Sequence, residues 1–207
     1  MTEFKSLVEN RRSPNNFLEN YPIPQEDFQR IFEMVKLAPS AFNLQHSKYV
    51  VVTDHDKKEQ IREAAFGQYK IHSASAVIMV LGDKKAHEHT ASINEGILFL
   101  GMINQGQYED IVQETVNFYE SRGEQFQRDE AIRNASISAM MFMLAAKEYG
   151  WDTCPMIGFN TEEVSKILNI DENYEPVLMI TMGKEKETSR RPRGYRKPVH
   201  EFVDFVQ

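Results

Sequence analysis

The stretch DEAIRNASISAMMFMLAAKEYGWD, residues 129–152, constrains the fold more than any other part of the chain. From Ala135 to Ala146 it is small or apolar on nearly every side of a helical wheel, with Asp129 placed to cap its start and Gly150 to stop it. A helix that is apolar all round has to be covered on most sides. In a chain of 207 residues this predicts a central helix, covered by its own domain and shared with a second subunit.

The remaining elements are read around that helix. Thr2 is placed to cap a short first helix with Phe4, Leu7 and Val8 on one face, delivering Arg11 and Arg12 at its end. Pro24 opens a second helix in which Phe28, Ile31, Phe32 and Val35 fall at i, i+3, i+4 and i+7, and Pro39 closes it. KYVVVT (48–53), SASAVIMVLGD (73–83) and EPVLMITMGK (175–184) read as strands, the second apolar on both faces. Residues 57–66 read as a helix. Another falls near 90–104, with Ile93, Ile97, Phe99 and Leu100 as its core face. Asn160 and Glu163 form a capping-box pattern for a helix over 161–168. The polar stretch around 106–128 reads as an exposed, lid-like helical insertion, and 198–207 as an extended apolar arm that packs on a partner. Together these elements predict a single α+β domain over 1–207 with a mostly antiparallel central sheet flanked by helices.

Composition excludes several function classes. With 41% hydrophobic and 27% charged residues the chain is of globular type. No apolar run approaches the ~20 residues needed to span a bilayer. One cysteine and an N-terminus without a basic-then-apolar pattern fit a cytoplasmic protein. A formal charge of −7 argues against non-specific nucleic-acid binding. Positive charge is nevertheless concentrated in two places. ENRRSPNNF holds Arg11 and Arg12, and SRRPRGYRK holds Arg190, Arg191, Arg193, Arg196 and Lys197. Either cluster alone fits a solvated surface. Together, in an acidic chain, they fit a local anion site, because arginine's planar fork matches phosphate. The loop in APSAFNLQHSKYVVV (38–52) carries Ser40, Asn43, Gln45 and His46 between a helix and a strand, which suits either a plain connection or a ligand loop.

RRSPNNF, APSAFNLQHSKYVVV, FGQYKIHSASAVIMV, CPMIGF and RRPRGYRKPVHEFV, in that order and at those spacings, resemble the nitroreductase family of flavin-dependent oxidoreductases over nearly the whole chain. The resemblance implies an intertwined homodimer with FMN at the subunit interface. It places Arg11, Arg12, Ser13 and Asn15 at the FMN phosphate and ribityl chain. Asn15 stands where the family often has a basic residue. Pro39, Ser40, Ala41, Asn43 and Gln45 match the loop lent to the neighbouring subunit's flavin, and Gln68 and Lys70 match a contact with the ring edge and ribityl hydroxyls. Pro155, Met156, Ile157 and Gly158 match the stretch along the other flavin face, with Ile157 where some branches have a carboxylate. In the C-terminal cluster Arg196 matches the family's spacing before a proline, whereas Gly194 does not; Arg193, shifted by one residue, is the substitute.

The activity so implied is hydride transfer from NADH or NADPH through flavin N5 to a nitroaromatic, quinone or related small-molecule acceptor, with ping-pong kinetics. The cofactor carries the chemistry, so no protein residue is assigned as catalytic. Two alternatives stay open. One is a flavoenzyme of the same fold performing enal reduction, dehalogenation or flavin fragmentation. The other is a non-enzymatic module binding a phosphorylated ligand. Phe118, Tyr119 and Phe126 fit either a planar acceptor or plain packing. His87 and His89 read as a solvated loop, not metal ligands; Cys154 reads as a buried, inert thiol; and no phosphate loop, dinucleotide fingerprint or hydrolase elbow is present.

Overall fold

The computed structural model describes residues 3–206. In chain order the helices are α1 (Phe4–Asn10), α2 (Gln25–Val35), α3 (His55–Ala64), α4 (Tyr69–Ser73), α5 (Thr90–Phe99), α6 (Gln105–Glu120), α7 (Gly123–Glu148) and α8 (Thr161–Leu168). The strands are β1 (Ser47–Val52), β2 (Ala76–Asp83), β3 (Asp152–Met156) and β4 (Tyr174–Gly183), ordered β1-β2-β4-β3 with every neighbouring pair antiparallel. The α+β expectation with an antiparallel sheet holds.

Strand periodicity explains the layers. Along β2, Val77, Met79 and Leu81 join a core with Ile61, Ile71 and Val164 from α3, α4 and α8. The alternate residues Ala76, Ile78 and Val80 join a second core with Ile31 and Val35 of α2 and Ala135, Ala139 and Phe142 of α7. Helices therefore cover both faces, which is why β2 is continuously apolar although its sheet is antiparallel. Gly82 sets how close α7 comes: a Cβ there would lie 2.7 Å from the Ala131 carbonyl oxygen.

Helix α7 is central, as its sequence demands, but it starts six residues before Asp129. Gly123, at φ +78°, reverses the chain directly from α6, so no cap at 129 is required, and Asp129 instead accepts from Gln125 within the helix at 2.8 Å. Gly150, at φ +77°, ends it as expected. Asn160 caps α8 by accepting from the Glu162 and Glu163 amides, but only this half of the capping box forms, because the Asn160 N–H donates to the Ala64 carbonyl. The proposed Thr2 cap lies outside the described residues.

The expected core face of α5 is a correction. Phe99 is 91% and Leu100 72% exposed, and Ile93 alone of the four packs on the third cluster around Leu44, Ala86 and Tyr119. The helix ends at Phe99, leaving its apolar end uncovered by its own chain. His87 is a second correction. Residues Ala86–His89 form a tight turn that buries its ring flat against Tyr119 at 5.2 Å. His46 also lies against Tyr119, with Nε2 3.3 Å from the phenol oxygen. The rings of Phe118, Tyr119 and Phe126 pack on one another. Among the described residues no helix is long and apolar enough to cross a membrane.

Burial, followed by the nearby His87, lowers the His46 pKa to about 4 from its usual 6.5. The neutral ring is the folded form, so the unfolded chain takes up this proton first as pH falls. Stability contributed by neutral His46 is expected to be intact above pH 6.5 and lost progressively towards pH 4, by up to about 3 kcal/mol. Urea unfolding across that range should show the loss in the native chain and a flatter profile in His46→Asn.

Candidate functional site

The two ends of the chain are laced together beside the sheet. Phe17 is buried in the core and bridges Glu185; the Leu18 amide donates to the Lys184 carbonyl at 2.8 Å, and the Lys186 amide to the Asn16 carbonyl at 3.0 Å. This fixes the Arg11–Asn15 loop next to the segment that leaves β4. Further on, Arg193 Nη2 donates to the Glu9 carbonyl at 2.6 Å and the Arg11 carbonyl at 3.1 Å. The basic clusters separated by some 180 residues thus meet, around a cavity of about 230 Å³ lined by Arg12, Ser13, Asn15, Lys70, Arg193 and Arg196 among others.

Charge at this point is unbalanced. Burial, and then the charges of Arg193 and Arg196, lower the Arg11 pKa from its ordinary value. Its Nη1 is buried with no hydrogen-bond partner. Leaving such a donor unpaired is costly and neighbouring guanidinium groups repel one another, an arrangement that suits an anion with several acceptor oxygens. Arg190, by contrast, is engaged: its Nε donates to the buried Glu185 carboxylate at 2.7 Å. Arg196 Nη1 donates to the Gly194 and Tyr195 carbonyls, bending its side chain back over its own loop.

Helix α4 supplies the next wall. Lys70 Nζ lies 3.4 Å from Cys154 Sγ, and Gln68, just before the helix, donates from Nε2 to the Gly158 carbonyl at 2.7 Å. The 68–70 and 154–158 segments therefore abut, as expected of two stretches serving one ligand. Gly158 is tight on this side, since a Cβ would meet Gln68 Nε2 at 3.3 Å. Met156 is different from its neighbours: it is 7% exposed and its side chain belongs to the core, whereas Ile157 is 80% exposed.

Pro39, Ser40 and Gln45 lie elsewhere, on a second cavity of about 280 Å³ with Phe32, Tyr49 and Ser138, and this cavity shares no lining residue with the basic one. The loop is held in an unusual shape. Phe42, Asn43 and Gln45 all have φ between 52° and 56°, in the left-handed region that costs side-chain-bearing residues energy. Two braces over-determine it: the Ala41 amide donates to Asn134 Oδ1 at 2.8 Å, and the Gln45 amide to Ser40 Oγ at 2.9 Å. Asn134 in turn donates to the Glu130 carbonyl at 2.8 Å. Sequence reasoning passed over Asn134; its signal was an amide placed directly before the small, apolar run 135–146. One chain therefore gathers most of the sequence-predicted residues in one place and presents the 39–45 loop in another.

Comparison with known proteins gives the family. The pattern of the Nitroreductase family matches residues 8–184. A Bacillus subtilis protein named "Putative NAD(P)H nitroreductase MhqN" is 64% identical over 206 residues, covering all of both chains. A crystal structure of the Bacillus subtilis protein named "putative nitroreductase ydfN" superposes with a TM-score of 0.96 at 62% identity, covering 98% of each chain. An Exiguobacterium sibiricum protein named "putative nitroreductase", solved in complex with FMN, superposes at 0.90 with 27% identity, covering 100% of this chain and 98% of its own. With a family pattern spanning the Arg11–Asn15 loop and the whole sheet, and relatives aligned end to end, this chain belongs to the nitroreductase family.

Proposed function

We propose that the chain is a cytoplasmic, homodimeric FMN-dependent oxidoreductase that draws electrons from NADH or NADPH and passes them to nitroaromatic, quinone or related conjugated acceptors in ping-pong fashion. The observation that carries the reading is the unpartnered, buried Nη1 of Arg11, a side chain that feels the charges of Arg193 and Arg196. The FMN phosphate is dianionic and rich in acceptors, so the residues present fit it. Arg11, Arg12, Ser13 and Arg196 bind that headgroup, Asn15 adds an amide contact, and Arg193 both contributes charge and ties the C-terminal segment to α1.

When bound, FMN supplies hydride transfer between donor and acceptor at its ring nitrogen N5. The protein's share is placement. Lys70 and Gln68 face the polar edge of the ring, where a cation and an amide donor favour added negative charge. The backbone of 155–158 would help hold the ring, with Gly158 offering no side chain in the way. The 39–45 loop completes the site of the partner subunit, which accounts for its separation from the basic cavity on its own chain. Helix α6 caps the acceptor pocket.

Dimerisation also explains the uncovered apolar surface. Phe99, Leu100 and Met102 beyond α5, Ile137 and Met140 on α7, and Val199, Phe202 and Phe205 on the arm are all more than 40% exposed in the single chain. Purified protein is expected to be yellow, to oxidise NADH or NADPH with menadione or a nitrofuran as acceptor, and to scatter light as twice the 24.0 kDa chain mass. Colourless protein that gains no flavin spectrum on adding FMN would overturn the assignment, and a mass equal to one chain would overturn the shared site.

A further inference from the structure

On the far side of α4 from Cys154, among the described residues, one cluster of metal-ligating side chains comes together: His55, Glu59 and His72, whose donor atoms all lie within 4.8 Å of one another. His55 is the first residue of α3 and Glu59 lies one turn on, so both project from the same face of that helix. His72 comes from α4. Two imidazoles and a carboxylate are a ligand set suited to a borderline-soft divalent ion of the zinc class.

The local geometry prepares the site. His72 Nδ1 lies 2.7 Å from Glu59 Oε1, and the rings of His55 and His72 meet edge to face at 5.7 Å. Arg62 Nε donates to the other carboxylate oxygen of Glu59 at 2.8 Å, the kind of outer contact that fixes the direction of a ligating carboxylate. Tyr69 stacks on His72 at 5.4 Å and sets the plane of its ring. Tetrahedral zinc needs ligand atoms about 3.4 Å apart. The adjustment falls on His55, whose side chain is 65% exposed and lies 3.6 Å from the exposed Asp56 carboxylate. His55 and His72 also line a cavity of about 510 Å³, so a fourth position opens on space that admits water. Asp54 and Asp56 flank His55 in sequence and Lys57, Lys58 and Arg62 offset the local negative charge.

We propose that His55, Glu59 and His72 form a binding site for a divalent zinc-class ion that clasps α3 to α4. The consequence reaches the flavin site without entering it. Helix α4 is only five residues long and carries Lys70, with Gln68 immediately before it, so an ion holding His72 holds the segment from which both project. The site rests on the cluster alone and stands whether or not the chain binds FMN.

The test is calorimetric titration of Zn²⁺ into untagged, full-length, chelator-treated protein as purified, with Co²⁺ absorption as a second reading. One ion per chain is expected, with cobalt bands of tetrahedral intensity and a rise in Tm on saturation. His55→Ala is expected to weaken binding at least tenfold; being on the surface, it keeps the fold. His72→Ala, with its fold checked by circular dichroism, is expected to abolish binding, whereas His89→Ala leaves it unchanged. Absence of stoichiometric binding, or affinity retained in the His55→Ala, His72→Ala double variant, would overturn the proposal.

Discussion

Replacing Arg11 with alanine is expected to raise the FMN dissociation constant by roughly 10- to 100-fold, the loss of one charge-assisted contact of about 1.5–3 kcal/mol. The unliganded protein is expected to lose no stability. In the free chain Arg11 Nη1 has no hydrogen-bond partner and the side chain sits against Arg193 and Arg196, so its removal relieves repulsion. That pairing of outcomes separates a ligand-binding arginine from a structural one. A structural arginine would cost stability on truncation and alter flavin binding only through the fold. Quenching of flavin fluorescence on titration reads the first quantity and thermal unfolding of the apo-protein reads the second. An unchanged dissociation constant would remove Arg11 from the site.

The second large effect is expected at the centre of α7. Phe142 is fully buried, with ring centroids of Phe32 and Tyr49 at 5.5 and 5.8 Å. Phe142→Ala removes a ring from a filled core between α2, β1 and α7, and a loss of about 3–5 kcal/mol follows from the lost transfer energy and the cavity left behind. In urea the midpoint should fall with the slope unchanged. Met140, two residues earlier, is 41% exposed in the single chain and touches this core much less. Met140→Ala is therefore expected to change the subunit's own stability little and to act chiefly on dimer affinity. An equal effect of both substitutions on a dilute, monomeric sample would contradict this division of the helix into an inner and an outer face.

These two residues also show what could be read from the chain beforehand. The run from Ala135 to Ala146 has one meaning only, because an apolar helix has no stable place on a surface, and the fold follows from it. The basic clusters stood out in the sequence because seven residues of one sign are unusual in an acidic chain. That they touch was implied only by the family resemblance, since it depends on Phe17 entering the core and Glu185 pairing alongside it, contacts across 168 residues of chain that no local pattern encodes. Local reasoning failed where tertiary contacts override it. Phe99 and Leu100 have the spacing of a core face, yet nothing in their own subunit reaches them. His87 lies in a polar stretch that reads as solvated, yet Tyr119 draws its ring inside. The start of α7 was misplaced because a good capping residue, Asp129, was available and unused. The split between the basic cavity and the 39–45 loop cannot be seen in any local pattern, since it depends on where α7 anchors that loop through Asn134.

The central claim is that guanidinium groups from both ends of the chain grip the phosphate of a flavin. Parallel titration of the apo-protein with FMN and with riboflavin, which lacks only that phosphate, tests it most directly. The account predicts that FMN binds at least 100-fold more tightly, and that the gap narrows in Arg11→Ala. Equal affinity for the two flavins would contradict it.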